Sequence, residues 1–363
     1  MTTPAQRTLW IGTYPAEGAS AGSGEGIWRV DVDADGRFGE PRLVVTSPSP
    51  SFVALHPSGR TLYAVAEDAP GAVSAFPVSD DGALGDPVTL ASGGTFPCHL
   101  LALTDALWVA NYGDGVAAVA ALDPDTGAFA VDAVARFEGS GTGPQEDRQE
   151  GPHAHFTAAA GDLALVVDLG ADVIRRYPAG PPAADAPETD HVVAAALPAG
   201  TGPRHLVTLP DGALVVAGEL DARLHVLTPA GPGSWEHAAS TPATTVEARD
   251  PEQRAAPSHV ALSGDLLTLG VRGADVLSVH RAVPGEAGVP TLEPLADVPL
   301  GAGALPRHHA VLGETADGRR LVVVARQGTG DLAAVLVDPV TGEGEVVDAL
   351  PLPTPPACVL EAS

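Results

Sequence analysis

The strongest constraint on the fold of this chain is a short phrase that returns about every 50 residues. Most copies contain a proline, one variable residue that we call position x, a histidine and then an apolar run. The copies are Pro50-Ser51-Phe52, Pro97-Cys98-His99, His153-Ala154-His155, Pro203-Arg204-His205, Pro257-Ser258-His259, Pro306-Arg307-His308 and Pro356-Ala357-Cys358. Self-similarity at this period is typical of one supersecondary unit repeated along a chain.

Each unit has the pattern of four short strands joined by tight turns. After Pro50 an apolar run predicts a first strand, Pro57–Arg60 a turn, and Leu62–Ala66 a second strand. Val73–Val78 and Pro87–Ala91 predict the third and fourth strands. Second strands are predicted in the later copies at Leu107–Ala110, Ala164–Val167, Ala213–Ala217, Leu266–Val271 and Leu321–Ala325. Four antiparallel strands in about 50 residues are typical of a β-propeller blade.

The two ends of the sequence carry complementary fragments of this unit. Leu9–Tyr14 matches a second strand with no first strand before it, and Pro356–Leu360 matches a first strand with nothing after it. We therefore predict an all-β fold, a seven-bladed β-propeller with four antiparallel strands per blade. Residues 1–363 would form a single domain, with the ring closed by the C-terminal strand joining the N-terminal blade.

Composition excludes some classes of function. The formal net charge is −27, with 19 Lys and Arg against 46 Asp and Glu, which disfavours nucleic acids and anionic membrane surfaces as partners. No apolar run reaches the ~20 residues of a membrane helix, and Met1–Trp10 lacks a secretion signal, so we expect a cytoplasmic protein. We also expect a monomer. Cys98 and Cys358 form neither a disulfide framework nor a C-x-x-C motif.

No metal or other cofactor is expected either. The pairs His153/His155 and His308/His309 have no accompanying carboxylate at a recognisable spacing, and H-E-x-x-H is absent. Nucleophile-elbow and P-loop motifs are missing as well.

Position x and the end of the second strand carry the candidate functional residues. Position x is Arg204 and Arg307 in two copies, and a cation near a channel requires a carboxylate or an anionic ligand. The ends of the second strands, which we expect at one mouth of the ring, hold Glu67, Asn111, Asp168, Glu219, Arg272 and Arg326. An Arg204–Glu219 salt bridge that only ties strands together is the structural alternative.

The histidines of the phrase are expected at similar depth around the central channel: His99, His155, His205, His259 and His308. Side chains alternate along a strand, so either position x or the histidine faces the lumen. Packing histidines are the alternative to functional ones. Two insertions, Glu138–Glu150 and Glu247–Pro257, either shape the mouth or form exposed loops.

Several stretches resemble the seven-bladed β-propeller lactonase family, which includes propeller-type 6-phosphogluconolactonases and carboxy-cis,cis-muconate cyclase. The resemblance covers nearly the whole chain. It is carried by Pro50–Tyr63, Ala110–Gly115, Arg148–His155, Asp168–Asp172 and Gly202–Leu206.

The resemblance implies a catalytic site of His155, Arg204, Glu219 and Arg272. His99, Asn111, Glu67, His205, Arg307 and Arg326 are expected to bind substrate. The short turn after His155 and the small residues before Glu219 depart from the family pattern.

The leading hypothesis is therefore a lactonase that hydrolyses a sugar lactone, with 6-phosphogluconolactone as the implied small-molecule substrate. His155 or Glu219 would be the general base, and the arginines would bind anionic groups. The alternatives are a muconate-type cycloisomerase, a lactonase for another lactone, and a non-catalytic propeller that binds a metabolite or a protein.

Overall fold

A computed structural model describes residues 6–15, 25–182, 192–250 and 254–362. These residues form seven four-stranded antiparallel sheets, and one turn of 3-10 helix covers Glu286–Gly288. Within the described ranges, no helix has the length and apolar character needed to cross a bilayer. The predicted all-β propeller is confirmed.

Each sheet is one blade, and its strands are numbered in chain order. Blades 1 to 3 contain β1 Arg7–Thr13, β2 Gly26–Val32, β3 Arg42–Thr46; β4 Val53–Leu55, β5 Thr61–Ala66, β6 Ala72–Pro77, β7 Val88–Ala91; β8 Pro97–Ala102, β9 Ala106–Asn111, β10 Ala117–Ala121 and β11 Ala135–Phe137. Blades 4 and 5 contain β12 Ala154–Ala160, β13 Leu163–Asp168, β14 Val173–Pro178, β15 Val192–Ala196; β16 Pro203–Thr208, β17 Leu214–Gly218, β18 Arg223–Gly231 and β19 Ser234–Pro242. Blades 6 and 7 and the last strand are β20 Ala256–Ser263, β21 Leu266–Arg272, β22 Val276–Val283, β23 Thr291–Pro299; β24 Pro306–Glu314, β25 Arg320–Arg326, β26 Asp331–Val337, β27 Gly344–Pro351; and β28 Pro356–Glu361.

The ring closes as the two terminal fragments predict. Strand β28 pairs with β1, so that blade 1 has the order β28-β1-β2-β3. The first strands β4, β8, β12, β16, β20, β24 and β28 contact one another around the ring and therefore line its axis. The inner edge of the N-terminal blade is thus paired by the last strand, β28.

The apolar core is divided among the interfaces between neighbouring blades. Seven clusters of buried residues each join two adjacent blades, for example Val215, Leu267 and Leu269 between blades 5 and 6. The second strands are covered on both faces, which is why they are apolar without alternation, as in the fully buried Leu107–Ala110. Each fully buried aliphatic side chain contributes ~1.5–3 kcal/mol to folding.

The repeated phrase forms a β-bulge. In blade 5, Pro203 pairs with Gly218 and His205 pairs with Ala217, so Arg204 is an extra residue without a partner across the ladder. The same register shift occurs at the phrase in every blade except blade 2. A bulge re-aims a side chain and breaks the alternation of a strand. Position x and the next residue can therefore both face the channel.

The register corrects one alignment made from the sequence. In blade 4, Ala154 pairs with Asp168 and Phe156 pairs with Val167, so His155 is the bulged residue. His155 therefore occupies position x, equivalent to Arg204, and Phe156 takes the place of the repeated histidine. The expectation that His155 lies at the depth of the other four histidines is wrong, because the blade 4 phrase begins one residue later than its His-x-His pattern suggests.

Candidate active site

The residues that follow position x close the channel with a layer of rings, which we call the ring layer. Neighbouring ring centroids are 3.9 to 5.6 Å apart. The layer consists of Phe52, His99, Phe156, His205, His259 and His308. Its polar contacts are internal or with adjacent strands: His205 Nδ1 is 2.9 Å from His259 Nδ1, and His99 Nδ1 is 3.0 Å from Thr157 Oγ1.

Burial keeps these imidazoles uncharged. It lowers the pKa of His99 to about 3, with a smaller contribution from the nearby Arg204 guanidinium. Burial also lowers the pKa of His205, His259 and His308 well below the usual value. The ring layer therefore closes the channel with uncharged side chains. His99 lies inside it, whereas His205 also lines a small cavity above it.

The mouth of the ring is marked by the residue after each second strand. Backbone N–H groups at these positions donate to the residue before each phrase, as Glu219 does to Gly202 and Tyr112 to Phe96. Register gives the seven equivalent residues as Tyr14, Glu67, Tyr112, Leu169, Glu219, Arg272 and Gln327. We call this set the mouth layer.

Asn111, Asp168 and Arg326 lie one residue before the mouth layer, so their alignment with Glu219 is wrong. Asn111 is fully buried and bonds Ser92 and the Val116 carbonyl. Asp168 pairs with Arg175 at 2.8 Å.

Arg326 is likewise held by its own blade and by the segment that follows blade 6. It donates to both carboxylate oxygens of Asp331, at 2.9 Å from Nε to Oδ1, and to the Leu300 carbonyl at 2.7 Å. The contacts of Asn111 and Arg326 are thus structural, and the predicted substrate-binding positions are instead occupied by Tyr112 and Gln327.

Glu219 is the centre of a buried ion cluster. Its Oε2 is 2.8 Å from Arg204 Nε and 2.7 Å from Arg272 Nη2, and its Oε1 is 2.7 Å from Arg148 Nη2. Arg204 comes from the bulge of blade 5, Arg272 from the end of β21 in blade 6, and Arg148 from the insertion before blade 4. Three of the four residues implied by the family resemblance, together with Arg148, are therefore in direct contact.

The charges in this cluster do not balance. Three guanidinium groups surround one carboxylate, and Glu219 and Arg204 are 3% and 4% exposed. Burial alone would raise the pKa of Glu219, but the guanidiniums of Arg272 and Arg204 outweigh it and hold the pKa far below its usual range. Burial, with Arg272, lowers the pKa of Arg204 to about 9. Nη1 of Arg204 is buried without a hydrogen-bond partner among the described residues. The site therefore favours an additional anion or a strong acceptor.

A cavity of about 460 Å³ opens beside this cluster. Its polar wall is formed by Glu219, Arg272, Arg148, Arg254, Gln327 and the exposed Asp147. The volume is in the range that holds a small metabolite.

A second, much smaller cavity lies between the cluster and the ring layer. Its volume is about 10 Å³, and its walls include His155, Arg204, Arg307, Ser51 and Cys98. This is room for about one water molecule. The Arg204–Glu219 ion pair links the walls of the two cavities, because Glu219 lines the large one and Arg204 the small one.

His155 enters this small cavity from the bulge of blade 4. Its Nδ1 is 3.8 Å from Cys98 Sγ, and its ring meets Tyr112 edge-on with 5.5 Å between centroids. Burial, reinforced by Arg204, lowers its pKa well below the usual value, so its imidazole is neutral. The thiol of Cys98 is buried too, which raises its pKa.

Across the mouth a second ion pair joins blades 2 and 7. Arg307 Nη2 is 2.8 Å from Glu67 Oε2, and the side chains are 17% and 13% exposed. The guanidinium lies 5.0 Å from the centroid of the Tyr14 ring. Ser51, at position x of blade 2, donates to the same Glu67 oxygen.

Comparison with known proteins identifies the family of the chain. A model of the lactonase family with a seven-bladed β-propeller matches residues 8–360. The chain belongs to this family. Two curated relatives are a 6-phosphogluconolactonase of Bacillus subtilis, 28% identical over 208 residues, and a probable 6-phosphogluconolactonase of Arthroderma benhamiae, 30% identical over 178 residues. The alignments cover 55% and 45% of this chain and only 56% and 41% of the two relatives.

Two solved structures of similar length superpose over almost the whole chain. One is described as a putative 6-phosphogluconolactonase from Bacteroides fragilis, with a TM-score of 0.81 and 25% identity, covering 100% of this chain and 99% of that one. Another is a periplasmic gluconolactonase of Pseudomonas aeruginosa, with a TM-score of 0.83 and 25% identity, covering 99% of each chain.

Sequence reasoning missed Arg148 and Arg254 as site residues of this family member. Both come from the two insertions, and both line the large cavity, where Arg254 Nη1 also donates to the Leu220 carbonyl at 3.1 Å. No repeat position marks them, because insertions lie outside the repeat. Tyr14 and Tyr112 are placed in the mouth layer by counting from the bulges, which the structure locates and the residue spacing does not.

The two members of the His153/His155 pair have different surroundings. The His153 ring stacks on Tyr112 with centroids 4.5 Å apart, and its Nδ1 donates to the Tyr112 carbonyl at 2.7 Å. His155 instead lines the small cavity. Among the residues described, no three His, Cys, Asp or Glu side chains are grouped as a metal site requires.

Proposed function

We propose that this protein hydrolyses a sugar lactone, and that 6-phosphogluconolactone, which would give 6-phosphogluconate, is its substrate. The observation that carries the proposal is the meeting of three guanidiniums at one buried carboxylate beside a cavity of about 460 Å³. The names of the relatives support the same reaction class. A cytoplasmic location and a monomeric state stay predictions, and the Pseudomonas relative is described as periplasmic.

The large cavity suits the anionic end of such a substrate. Arg148, Arg254 and Arg272 contribute three cations to its wall. Of the two carboxylates there, Glu219 is already paired with arginines and Asp147 is exposed to solvent. Arginine binds phosphate and carboxylate with two parallel hydrogen bonds, which fixes orientation as well as affinity. The overall charge of −27 makes this local excess of arginine a distinct feature of the surface.

In this proposal the reaction takes place where the two cavities meet. A water molecule in the small cavity attacks the lactone carbonyl, and a C–O bond forms as the carbonyl oxygen becomes an oxyanion. Arg204 Nη1, which is buried and unpartnered in the described structure, donates to this oxyanion. The ring C–O bond then breaks, and the water proton passes through the His155 imidazole to the departing alkoxide. The product is an open-chain hydroxy acid.

His155 suits the role of base better than Glu219. Both oxygens of Glu219 contact guanidiniums, and the depressed pKa of Glu219 makes it a poor proton acceptor. The imidazole of His155 is neutral and borders the space for one water. An anionic substrate beside Arg204 offsets part of the positive potential at His155 and therefore raises its basicity.

A panel of lactones tests the proposal. Proton release at pH 7 is followed with 6-phosphoglucono-1,5-lactone and glucono-1,5-lactone, and each rate is corrected for spontaneous hydrolysis. We expect enzymatic turnover of both, with kcat/KM at least about tenfold higher for the phosphorylated lactone because of the arginine contacts. Arg204→Ala, checked for an unchanged circular dichroism spectrum, supplies the matched inactive enzyme.

Three results would change the conclusion. Wild-type rates equal to those of the Arg204→Ala variant on every lactone would overturn lactone hydrolysis. Equal kcat/KM for the two glucose-derived lactones would overturn the phosphorylated substrate but leave a sugar lactonase. Turnover of carboxy-cis,cis-muconate alone would favour the cycloisomerase alternative.

A further inference from the structure

The mouth layer contains two carboxylates at equivalent positions, and only one of them has an oxygen to spare. Both oxygens of Glu219 contact arginines. In Glu67, Arg307 and Ser51 both use Oε2. Oε1 of Glu67 has no hydrogen-bond partner among the described residues. Glu67 is therefore the carboxylate of this layer that can accept hydrogen bonds from a ligand.

Arg307 likewise keeps donors available. It spends Nη2 on Glu67, and its guanidinium lies over the Tyr14 ring. Arg307 also lines the small cavity together with His155 and Arg204. The donor Arg307 is thus next to the groups assigned to the lactone carbonyl, and it holds the acceptor Glu67 at its side. Contacts on two sides fix this pair in advance, which reduces the entropy lost when a ligand binds.

We propose that Glu67 and Arg307 recognise the ring hydroxyls of a polyhydroxylated lactone. Glu67 Oε1 accepts from one hydroxyl, and a free Arg307 N–H donates to the oxygen of a neighbouring one. This inference rests on the proposed lactone hydrolysis and specifies its substrate class, because Arg204 and His155 need only the ester group. The Glu67–Arg307 pair would thereby determine specificity for sugar lactones over alkyl lactones.

Desolvation of Glu67 and Arg307 is the energetic reason why lactones without hydroxyls would be rejected. Both side chains are mostly buried, and a lactone without hydroxyls would displace their remaining water and return no hydrogen bonds. Sites built to bond a substrate hydroxyl reject analogues that lack it far more strongly than apolar pockets reject extra methylenes.

Two lactones with the same six-membered ring separate these effects. Glucono-1,5-lactone carries hydroxyls, and δ-valerolactone carries none, so the ratio of their kcat/KM values, each divided by its rate of hydrolysis by hydroxide, measures hydroxyl recognition. We expect a wild-type ratio above about 100. We expect Glu67→Gln and Arg307→Gln each to lower this ratio about 10- to 100-fold, the equivalent of one charged hydrogen bond.

Arg281→Gln is the matched control. Arg281 is comparably buried, with 24% side-chain exposure and a carboxylate partner in Asp265, but that partner lies in the β20–β21 turn at the opposite end of the ring. We expect the ratio to stay at its wild-type value in this variant. Thermal unfolding of all three variants identifies any loss of fold.

The outcomes distinguish this inference from the proposed function. Parallel losses on both lactones, or an unchanged ratio in Glu67→Gln and Arg307→Gln, would overturn hydroxyl recognition while lactone hydrolysis stands. A wild-type ratio near 1 would overturn it without any variant, which covers the case of variants that do not fold. Absence of wild-type hydrolysis of 6-phosphoglucono-1,5-lactone, glucono-1,5-lactone and δ-valerolactone alike would overturn the proposed function and this inference together.

Discussion

Position x and the ring layer are adjacent residues of the repeated phrase, yet they differ in almost every property. The ring layer uses His or Phe in six blades, and its members pack against one another as neutral rings. Position x, with the mouth layer above it, differs from blade to blade and holds Arg204, Arg307 and His155 among small residues. The ring layer, which is repeated from blade to blade, closes the channel. Position x and the mouth layer, which vary, supply the charged groups at the cavities.

The β-bulge makes this division possible. In a regular strand, adjacent residues face opposite sides, and only one of the two layers would reach the channel. In every blade except blade 2, the extra residue at the phrase turns position x toward the mouth while the next side chain still reaches the axis. Substitutions at position x or in the mouth layer should therefore impair the chemistry. Substitution of a ring-layer histidine should leave the chemistry almost unchanged and alter the pH dependence of stability.

The largest expected effect is that of His155→Gln. Removing a general base costs ~10²–10⁴-fold in rate, so we expect kcat to fall by that factor with little change in KM. Because burial lowers the pKa of His155 well below 6.5, the wild-type kcat/KM should stay flat as pH falls through 6.5 and decline only at lower pH. Steady-state kinetics between pH 4.5 and 8 measure both. A profile that breaks at pH 6.5 or above, or a variant with normal kcat, would assign the base elsewhere.

Glu219→Gln should cost stability as well as activity. Three guanidiniums would lose their shared partner, and breaking a buried ion pair costs ~3–5 kcal/mol in the free energy of unfolding. The folded-state pKa of Glu219 is depressed, so its contribution is complete above the unfolded pKa and is lost as pH falls toward the folded one. The stability gap between wild type and variant should therefore be constant from pH 6 to 8 and narrow below pH ~4.5.

Urea denaturation at pH 7 and pH 4 measures this gap. Glu67→Gln is the matched control, because Glu67 occupies the equivalent position with one arginine instead of three, and its loss should be smaller. Equal losses in the two variants would show that the three-arginine cluster has no special energetic role.

Arg148→Ala tests the contribution of an insertion to the site. Arg148 is 37% exposed on its side chain and contacts Glu219 at 2.7 Å and the Tyr112 hydroxyl at 3.3 Å. We expect KM for an anionic lactone to rise about tenfold and the free energy of unfolding to fall by less than ~1 kcal/mol, as for a partly exposed pair. Arg60→Ala, which removes an exposed charge from the turn between β4 and β5, controls for long-range electrostatics. A KM equal in both variants would remove Arg148 from the binding site.

The sequence was sufficient for the fold, the number of blades and most of the Glu219 cluster. Arg204, Glu219 and Arg272 follow from comparing repeats, because a charge at an otherwise small or apolar repeat position is visible without coordinates. The errors at Asn111, Arg326 and His155 have one cause: each strand boundary shifts by a residue at the bulge, and residue spacing alone does not reveal which residue is extra. Arg148 and Arg254 could not be placed, because the path of an insertion depends on packing and not on the repeat.

The smallest effect on activity, and the sharpest contrast with the site, is expected from His259→Phe in the ring layer. Phe52 and Phe156 occupy this position in blades 2 and 4, so a phenyl ring fits the layer, and kcat/KM should stay within about twofold. Burial and the neighbouring His308 depress the pKa of His259, so below pH 6.5 the unfolded chain binds a proton that the folded state refuses. Wild-type stability should therefore fall with decreasing pH, and the variant's curve should be less steep by ~1.4 kcal/mol per pH unit.

Chemical denaturation from pH 7.5 to 5 measures the slopes, with Phe156→Leu as a control that alters the same layer without removing a titrating group. If His259→Phe kept the wild-type slope, the histidines of the ring layer would not be held neutral, and the division between the two layers would fail.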